Sequence, residues 1–293
     1  MDVSVVIVNW NTGELLRRCL DCLPAALTGL STEVLVVDNA SSDQSIAHAE
    51  GSRQAFRLLP MTSNLGFARA NNIAIRQAKG DVIILLNPDT EPREGSLATL
   101  IDVLREHPSA AAVGPKLLNT DGSLQPSCRR FPTTLTFLFL FFKLHHILPG
   151  TKTLRSYFMR DVAHNVERPV DQIMGACMAI PRTALERIGL LDERYWIWFE
   201  EVDWCRRAAV AERQIWFTPR ATVVHHGGVS FQQVLPVKKE WRFIRSSLRY
   251  ARSYLGWSSV LMLSLAAPFA LALDALAFAR WLRRSQPVHP VSS

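Results

Sequence analysis

Ile83-Ile84-Leu85-Leu86-Asn87-Pro88-Asp89-Thr90 is the stretch whose reading decides the fold. An unbroken apolar run ends in a turn that carries one carboxylate. Consecutive β-branched and leucine residues mark a strand covered on both faces, as in a parallel sheet. Pro88 cannot donate to a ladder, so the strand ends there. Asp89 then stands just beyond the carboxyl end of a central strand, where open α/β sheets bind their ligands. On this stretch alone, Asp89 reads equally well as a turn residue or a helix cap.

Working outward, residues 3–8, 33–37 and 56–59 read as strands, and 83–86 is the fourth. Asn11 with Glu14 makes a capping-box-like start for a helix running to about residue 23, before Pro24. Ser41 with Gln44 caps a second, short helix. Residues 68–78 form a helix closed by Lys79 and Gly80, and 97–106 form another stopped by Pro108. Alternating strands and helices predict a parallel sheet with helices on both faces and right-handed connections. Asn9, Asp38 and Asp89, far apart in the chain, are then expected along one edge of the sheet.

Past residue 110 the pattern changes. Asn119-Thr120-Asp121-Gly122-Ser123 is a hairpin turn signal. The apolar run 135–142 is too short to span a bilayer as a helix. Lys143, His145 and His146 follow it, and it reads as an interfacial segment more readily than a core one. Residues 151–170 are polar and basic, expected as a loop of limited order; 172–181 is a buried strand or loop, and 184–188 a short helix. Residues 200–211 look helical, with Glu200, Glu201 and Asp203 in the first turn among Trp196, Trp198, Phe199 and Trp204. Such acids complement a helix N-terminus. Held against apolar walls, they also have the raised pKa of a working base. A strand at 222–224 ends in His225-His226-Gly227-Gly228, a ligand candidate.

The 293 residues are 48% hydrophobic, enough for a full core and one or two domains. The net charge of +7 suits nucleic acid, anionic lipid or an anionic small substrate. Five scattered cysteines make no disulfide framework and suit a reducing compartment. Cys19 and Cys22 share a helical face with Leu15, Leu16 and Leu23, so packing explains them better than a zinc or redox half-site. Met1-Asp2 lacks a positive n-region and the apolar run after it is short, so no signal peptide is expected and the main body should stay in the cytoplasm.

The blocks VSVVIVNWN (3–11), VDNASSD (37–43) and NLGFARANN (64–72) together resemble family two of the inverting GT-A glycosyltransferases. LLNPDT (85–90), GACM (175–178), FEEVD (199–203) and VHHGG (224–228) extend the resemblance, which covers about residues 3 to 230 and leans toward the rhamnosyltransferase-like branch. It implies a GT-A, Rossmann-like catalytic domain over 1–235. It also implies cell-surface glycan synthesis from a dTDP- or UDP-sugar, rhamnose favoured, onto a lipid-linked or polysaccharide acceptor. In the donor site, Asp38 matches the acid that accepts from the imide N–H of uracil or thymine. Arg69 matches a position near the nucleotide, and Asn9 lies on the same edge. Asp89 matches the last acid of the metal-binding DxD motif, with His225 closing on the metal or the pyrophosphate. Glu201 matches the acceptor-side base, flanked by Glu200 and Asp203 on acceptor hydroxyls. Mg²⁺ or Mn²⁺ is implied as cofactor. The chain departs from the pattern at Asn87, where many relatives carry the first Asp; it keeps an oxygen acceptor and loses a charge, so a ribose or outer-shell water contact is expected.

Residues 236–254 read as a basic helix carrying Lys238, Lys239, Arg242, Arg245, Arg249 and Arg252. Residues 258–279 are apolar except for Asp274 and interrupted by Pro268, with Arg280, Arg283 and Arg284 following. Basic residues at both ends leave the positive-inside rule without an orientation, and Asp274 is costly in lipid. The region 236–293 is therefore expected to lie in or dip into the cytoplasmic leaflet of the inner membrane, on anionic headgroups, as one helix or a pair broken at Pro268. The other reading is an amphipathic helix packed on the catalytic domain. Two further function classes compete. Asn87 motivates a catalytically silent sugar-nucleotide-binding scaffold, which Asp89, Glu201 and His225 argue against. The charge motivates nucleic-acid binding, but the basic residues adjoin an apolar tail and not an aromatic stacking platform, so no nucleic acid is expected.

Overall fold

Val3–Asn9, every residue buried, is the innermost strand of the N-terminal half (β1). The computed structural model describes residues 1–228 and 233–284. The chain continues through α1 (Leu15–Ala26), β2 (Thr32–Asp38), α2 (Ser45–Glu50), β3 (Arg57–Pro60), α3 (Phe67–Ile75) and β4 (Val82–Leu86). Next come β5 (Thr90–Pro92), α4 (Ser96–Glu106), β6 (Ala110–Leu118), β7 (Leu124–Gln125) and β8 (Cys128–Arg129). After α5 (Thr134–Phe141), α6 (Leu144–Ile147) and α7 (Lys152–Tyr157) follow β9 (Arg168–Val170), β10 (Gln172–Ile173), β11 (Cys177–Pro181), α8 (Arg182–Ile188), α9 (Glu200–Val210) and β12 (Gln214–His225). Two long helices close the described chain, α10 (Pro236–Tyr254) and α11 (Trp257–Arg284).

The main sheet runs β3-β2-β1-β4-β11-β6-β12-β5. Strands β3, β2, β1 and β4 are parallel, as are β6 and β12; β11 is antiparallel to both its neighbours. This is an α/β fold with a mostly parallel central sheet. Successive residues of β1 alternate between two cores, because side chains in a strand alternate faces. Val5 and Ile7 pack with Leu16, Leu20 and Leu23 of α1 and Leu97, Leu100 and Leu104 of α4. Val6 and Val8 pack with Ala70, Ala74 and Ile75 of α3 and Trp204 and Cys205 of α9. Each fully buried Leu, Ile or Val adds about 1.5–3 kcal/mol. Cys19 and Cys205 are free, buried packing residues.

Contacts divide the described chain into two compact units, 1–131 with 155–228, and 132–154 with 233–284. The first holds the sheet. In the second, Phe137 of α5 meets Tyr250 of α10 edge-on, with ring centroids 5.9 Å apart, and Phe141 meets Phe243 at 6.1 Å. Phe137 and Phe141 are both buried, so the apolar run expected as interfacial supplies core here, while Leu135 of that run and Ile147 and Leu148 beyond it are exposed. Helix α11 packs through Ser259, Leu263, Ala266, Ala267 and Ala270; its Trp257, Leu261, Leu265, Phe269 and Leu276 are exposed. Asp274 is not an isolated charge: its carboxylate lies 3.4 Å from Lys143 Nζ, and Lys143 also pairs with buried Glu240.

Several local expectations are corrected. Neither Asn11 nor Ser41 caps a helix, and the residues before α1 and α2, Glu14 and Gln44, make no side-chain cap bond. Instead Asn11, at φ +51°, accepts from the Ser42 amide, and Ser41 Oγ accepts from the Asn11 amide. The loops after β1 and β2 thus bond to each other. Helix α1 runs past the expected stop before Pro24 to Ala26, without the hydrogen bond that an N–H at position 24 would donate. Residues 151–170 hold α7 and β9. The late strand is much longer than 222–224, because β12 has β6, β9 and β5 as partners. Pro268 does not split α11. Residues 285–293 of the expected tail lie outside the described residues.

Candidate active site

The register of β1 on β2 sets Asn9 opposite Asp38. Asn9, fully buried, donates its amide to Asp38 Oδ1 (3.1 Å), Ser41 Oγ (3.0 Å) and Ser45 Oγ (2.8 Å). Its side chain is consumed in fixing the loop that carries Asp38. Asn39 does the same for the next loop: its amide donates to Asn64 Oδ1 and the Gly66 carbonyl, and its oxygen accepts from the Leu65 amide. Gly66 sits at φ +84°, and a Cβ there would lie 2.4 Å from the Trp196 carbonyl. Only glycine lets the 64–67 loop close on the 196–199 segment, where the Phe67 amide donates to Trp196 O (2.8 Å). Arg69, on the first turn of α3, is 58% exposed with one long contact, 3.9 Å to Glu193.

The turn after β4 is held by its backbone. Asn87 donates its amide to Ala176 O (2.9 Å) and accepts from Thr90 Oγ1 (2.6 Å) through its carbonyl. Its side-chain oxygen is buried with no hydrogen-bond partner. Asp89 and His225 are both buried and face each other, Oδ1 to Nε2 at 3.3 Å. Gln125 of β7 orients the imidazole: its Oε1 lies 2.7 Å from His225 Nδ1, and its Nε2 donates to the His225 carbonyl (3.2 Å). With Nδ1–H donating to Gln125, the Nε2 lone pair points at a carboxylate. A buried carboxylate and an oriented imidazole that face each other suit a divalent cation, so this pair fits the implied metal, with the orphaned Asn87 oxygen left for an outer-shell or ribose contact. Glu106, His107 and Glu167 also gather ligand atoms within 4.8 Å of one another. There Arg220 donates to both carboxylates, and an ion-pair network accounts for the cluster.

Helix α9 begins at a strained turn. Trp198 and Phe199 hold φ +61° and +72°, unusual for bulky residues. They deliver Glu200 and Glu201 into the interior, where one oxygen of each is buried without a hydrogen-bond partner. Burial pushes the Glu200 carboxyl well above the usual range, and the neighbouring Glu201 charge adds to the rise. Burial also raises Glu201, opposed by its backbone amide and the Arg129 guanidinium. Gly175 lies against Glu201: a Cβ there would be 3.6 Å from its Cβ and Cγ. The next residue, Ala176, is the one that holds Asn87. Residues 175 and 176 thus join the carboxylate pair to the Asp89 turn. Asp203 is different. Its Oδ2 accepts from Arg207 Nε (2.8 Å), and Arg207 also donates to the Ile188 and Leu190 carbonyls.

The structure therefore brings Asn9 to Asp38, Asp89 to His225, and Glu201 to the side of the Asn87 turn. It leaves Arg69 outward and spends Asp203 on an internal ion pair. Sequence reasoning missed Gln125, Asn39 and Arg129. The only signal for Gln125 was its place just past the hairpin turn.

The profile of Glycosyl transferase family 2 matches residues 4–188. A Mycobacterium tuberculosis (strain H37Rv) protein named N-acetylglucosaminyl-diphospho-decaprenol L-rhamnosyltransferase is 32% identical over 239 residues, 76% of this chain and 76% of that protein. A low-salt glycan biosynthesis hexosyltransferase of Haloferax volcanii is 28% identical over 71% of this chain and 61% of its own length. Among solved structures, a Pyrobaculum calidifontis mannosyltransferase in complex with GDP-Man and Mn²⁺ superposes with TM-score 0.57 at 19% identity, covering 98% of this chain and 76% of that one. GalNAc-T7 with UDP, GalNAc and Mn²⁺ gives 0.56 at 18%, covering 77% and 44%. The sheet and helix order are those of the GT-A fold, and the chain belongs to glycosyl transferase family 2.

Proposed function

We propose that this glycosyltransferase moves a sugar, rhamnose foremost, from a dTDP- or UDP-sugar to a lipid-linked acceptor, with inversion. The acceptor in the mycobacterial relative's name, N-acetylglucosaminyl-diphospho-decaprenol, supports that class. The observation that carries the reading is the join at residues 175–176, which sets Glu201, one oxygen of which is buried without a hydrogen-bond partner, next to the Asp89 turn.

Asp38, steadied by Asn9, accepts from the imide N–H of the base. Arg69 is exposed and is read as lying near the nucleotide, and Asn87 Oδ1 as taking a ribose hydroxyl or an outer-shell water. Asp89 and His225 would hold a divalent cation, Mg²⁺ or Mn²⁺, and the Mn²⁺ in the two structural neighbours supports a divalent metal at this place. The cation, when bound, offsets the charge that develops on the leaving diphosphate. Glu201 accepts the proton of the acceptor hydroxyl while that hydroxyl's oxygen bonds to the anomeric carbon. The bond from that carbon to the phosphate oxygen breaks, and its electron pair leaves with the nucleoside diphosphate. One displacement inverts the centre. Burial raises both carboxyls, and Glu201, the one that lies against Gly175 and feels the Arg129 charge, is read as the base. Asp203 positions α9 through Arg207.

The test is nucleoside diphosphate release from a panel of dTDP- and UDP-sugars, with farnesyl-diphosphoryl N-acetylglucosamine as acceptor. Acceptor-dependent release is expected, highest with dTDP-rhamnose; no release from any donor overturns the reading.

The apolar strip of α11, from Trp257 to Leu276, is read as resting in the cytoplasmic leaflet of the inner membrane, peripheral or in-plane. Exposed Lys238, Arg245 and Arg252 of α10 add headgroup attraction of about 1 kcal/mol each on an anionic surface. Flotation with anionic liposomes is expected at low salt and reduced at high salt; salt-insensitive flotation would mean a spanning helix.

A further inference from the structure

Arg129 is a cation with no assigned task. It lies on β8, opposite Gln172 of β10. A few residues past that pair, Gly175 rests on Glu201. The ladder therefore brings Arg129 to the side of the carboxylate pair, and its charge reaches Glu201, where it favours the ionised form. The guanidinium is held over two rings, 5.9 Å from the Tyr157 centroid and 5.5 Å from that of Phe158. Tyr157 is itself pinned, since its carbonyl accepts from the Arg130 amide (3.0 Å). Arg130 next door spends its charge on Ser156 and Asp161. Among the described residues no carboxylate ion-pairs with Arg129, and its buried Nε has no hydrogen-bond partner.

A buried donor without an acceptor costs free energy, and so does a buried acceptor without a donor. Here the Arg129 charge reaches Glu201, yet Arg129 Nε and the buried Glu201 oxygen do not satisfy each other. A molecule carrying both a hydroxyl and a phosphoryl group satisfies both. The hydroxyl donates to Glu201, and the phosphoryl oxygens accept from the planar guanidinium fork, whose geometry they match. An anionic acceptor approaching two carboxyls is otherwise repelled, and Arg129 offsets that repulsion.

We propose that Arg129 binds the diphosphate of a lipid-diphosphate-linked acceptor and so presents the acceptor hydroxyl to Glu201. This rests on the reading of Glu201 as the base. The stack on Tyr157 and Phe158 makes the fork rigid before the acceptor arrives.

The full chain, saturated with dTDP or UDP and Mg²⁺, is titrated with farnesyl diphosphate, with farnesol as the uncharged control. Wild type is expected to bind the diphosphate, Arg129→Gln to bind it roughly 10–100-fold more weakly, and Arg129→Lys to fall between them. Nucleotide affinity should not change. Should Arg129→Gln fail to fold, the Lys variant carries the comparison. No binding by wild type, or equal binding by the variants, overturns the proposal. Weaker binding to phosphatidylglycerol vesicles with unchanged farnesyl diphosphate binding also overturns it, as a mere headgroup contact. In transfer assays, kcat/KM on farnesyl-diphosphoryl N-acetylglucosamine relative to the octyl glycoside of the same sugar should fall about tenfold or more in Arg129→Gln. An equal loss on both acceptors overturns the proposal and leaves Arg129 a structural residue. If wild type binds farnesyl diphosphate but transfers no sugar, the proposed reaction fails and the Arg129 site stands.

Discussion

Two clusters of buried acid in this chain begin from the same physics and end differently. Glu200 and Glu201 in the first unit, and Glu240 beside Asp274 in the second, are carboxyls pushed upward by burial. In the second unit Lys143 reaches both acids and closes the cluster from within. In the first, neither the Glu200 nor the Glu201 carboxylate has an ion-pair partner among the described residues; one oxygen of each is buried without a hydrogen bond, as is Glu240 Oε1, so the Lys143 pairing is what sets the two clusters apart. The adjacent backbone is strained at Trp198 and Phe199 as well. A closed cluster lets an apolar helix carry an aspartate. An open one costs stability and is explained by a ligand that completes it. Substitutions should therefore separate activity from stability in opposite senses at the two places.

The largest separation is expected at Glu201. Glu201→Gln keeps the shape and removes proton acceptance, so turnover should fall by roughly 10²–10⁴-fold. Donor affinity should stay near normal and thermal stability should not fall, because an unpaired buried charge is removed. Steady-state kinetics with a melting curve checks both. An active Glu201→Gln beside a dead Asp203→Asn would move the base to Asp203 and break the contrast. A smaller effect is expected at Gln125. Leu there removes the hydrogen bond that fixes the His225 ring, and losing such an orienting partner typically weakens metal affinity about 10–100-fold. Mn²⁺ titration of activity should show this as a rightward shift with little change at saturating metal. An unshifted titration would mean that His225 needs no orienting partner.

The sequence was legible where an apolar strand ends in polar punctuation. Asn9, Asp38 and the Asp89 turn fall on one sheet edge because parallel strands share a direction, and the β-α order alone requires that. Glu200 and Glu201 were legible as acids at a helix start. The rest was hidden for physical reasons. Gln125 and Arg129 sit on two-residue strands, too short to show a period. Asn11 and Ser41 looked like caps, but their side chains bond across the fold, and no local pattern records a partner thirty residues away. Strand β12 was read short because Pro219 and Arg220 interrupt its pattern, whereas the observed strand is held by pairing to β6, β9 and β5. Asp274 looked like a cost in an apolar helix, because its partners Lys143 and Glu240 come from distant segments.

The smallest effect sharpens the closed side of the comparison. Glu240 is pushed up to about 7, first by burial and further by Asp274, with Lys143 opposing. The folded chain therefore holds this proton up to near pH 7, while the unfolded chain releases it near the ordinary glutamate value of 4.5. Between those values the folded state binds more protons, so stability falls as pH rises. The contribution is complete below about 4.5 and is lost as pH passes through about 7. The Glu200 and Glu201 pair adds a slope of the same sign, so wild type should melt lower at pH 8 than at pH 5 for both reasons. Glu240→Gln removes one part of that slope and none of the catalytic machinery. A difference of 1 kcal/mol moves the melting temperature by about 2–4 °C at this size. The variant's drop between pH 5 and pH 8 should accordingly be a few degrees smaller than that of wild type. Glu201→Gln should flatten the curve as well, but only at the expense of turnover. Equal slopes for Glu240→Gln and wild type would mean that Lys143 already holds Glu240 ionised across the whole range. The second cluster would then be an ordinary ion pair, and the likeness between the two buried acids would end at their burial.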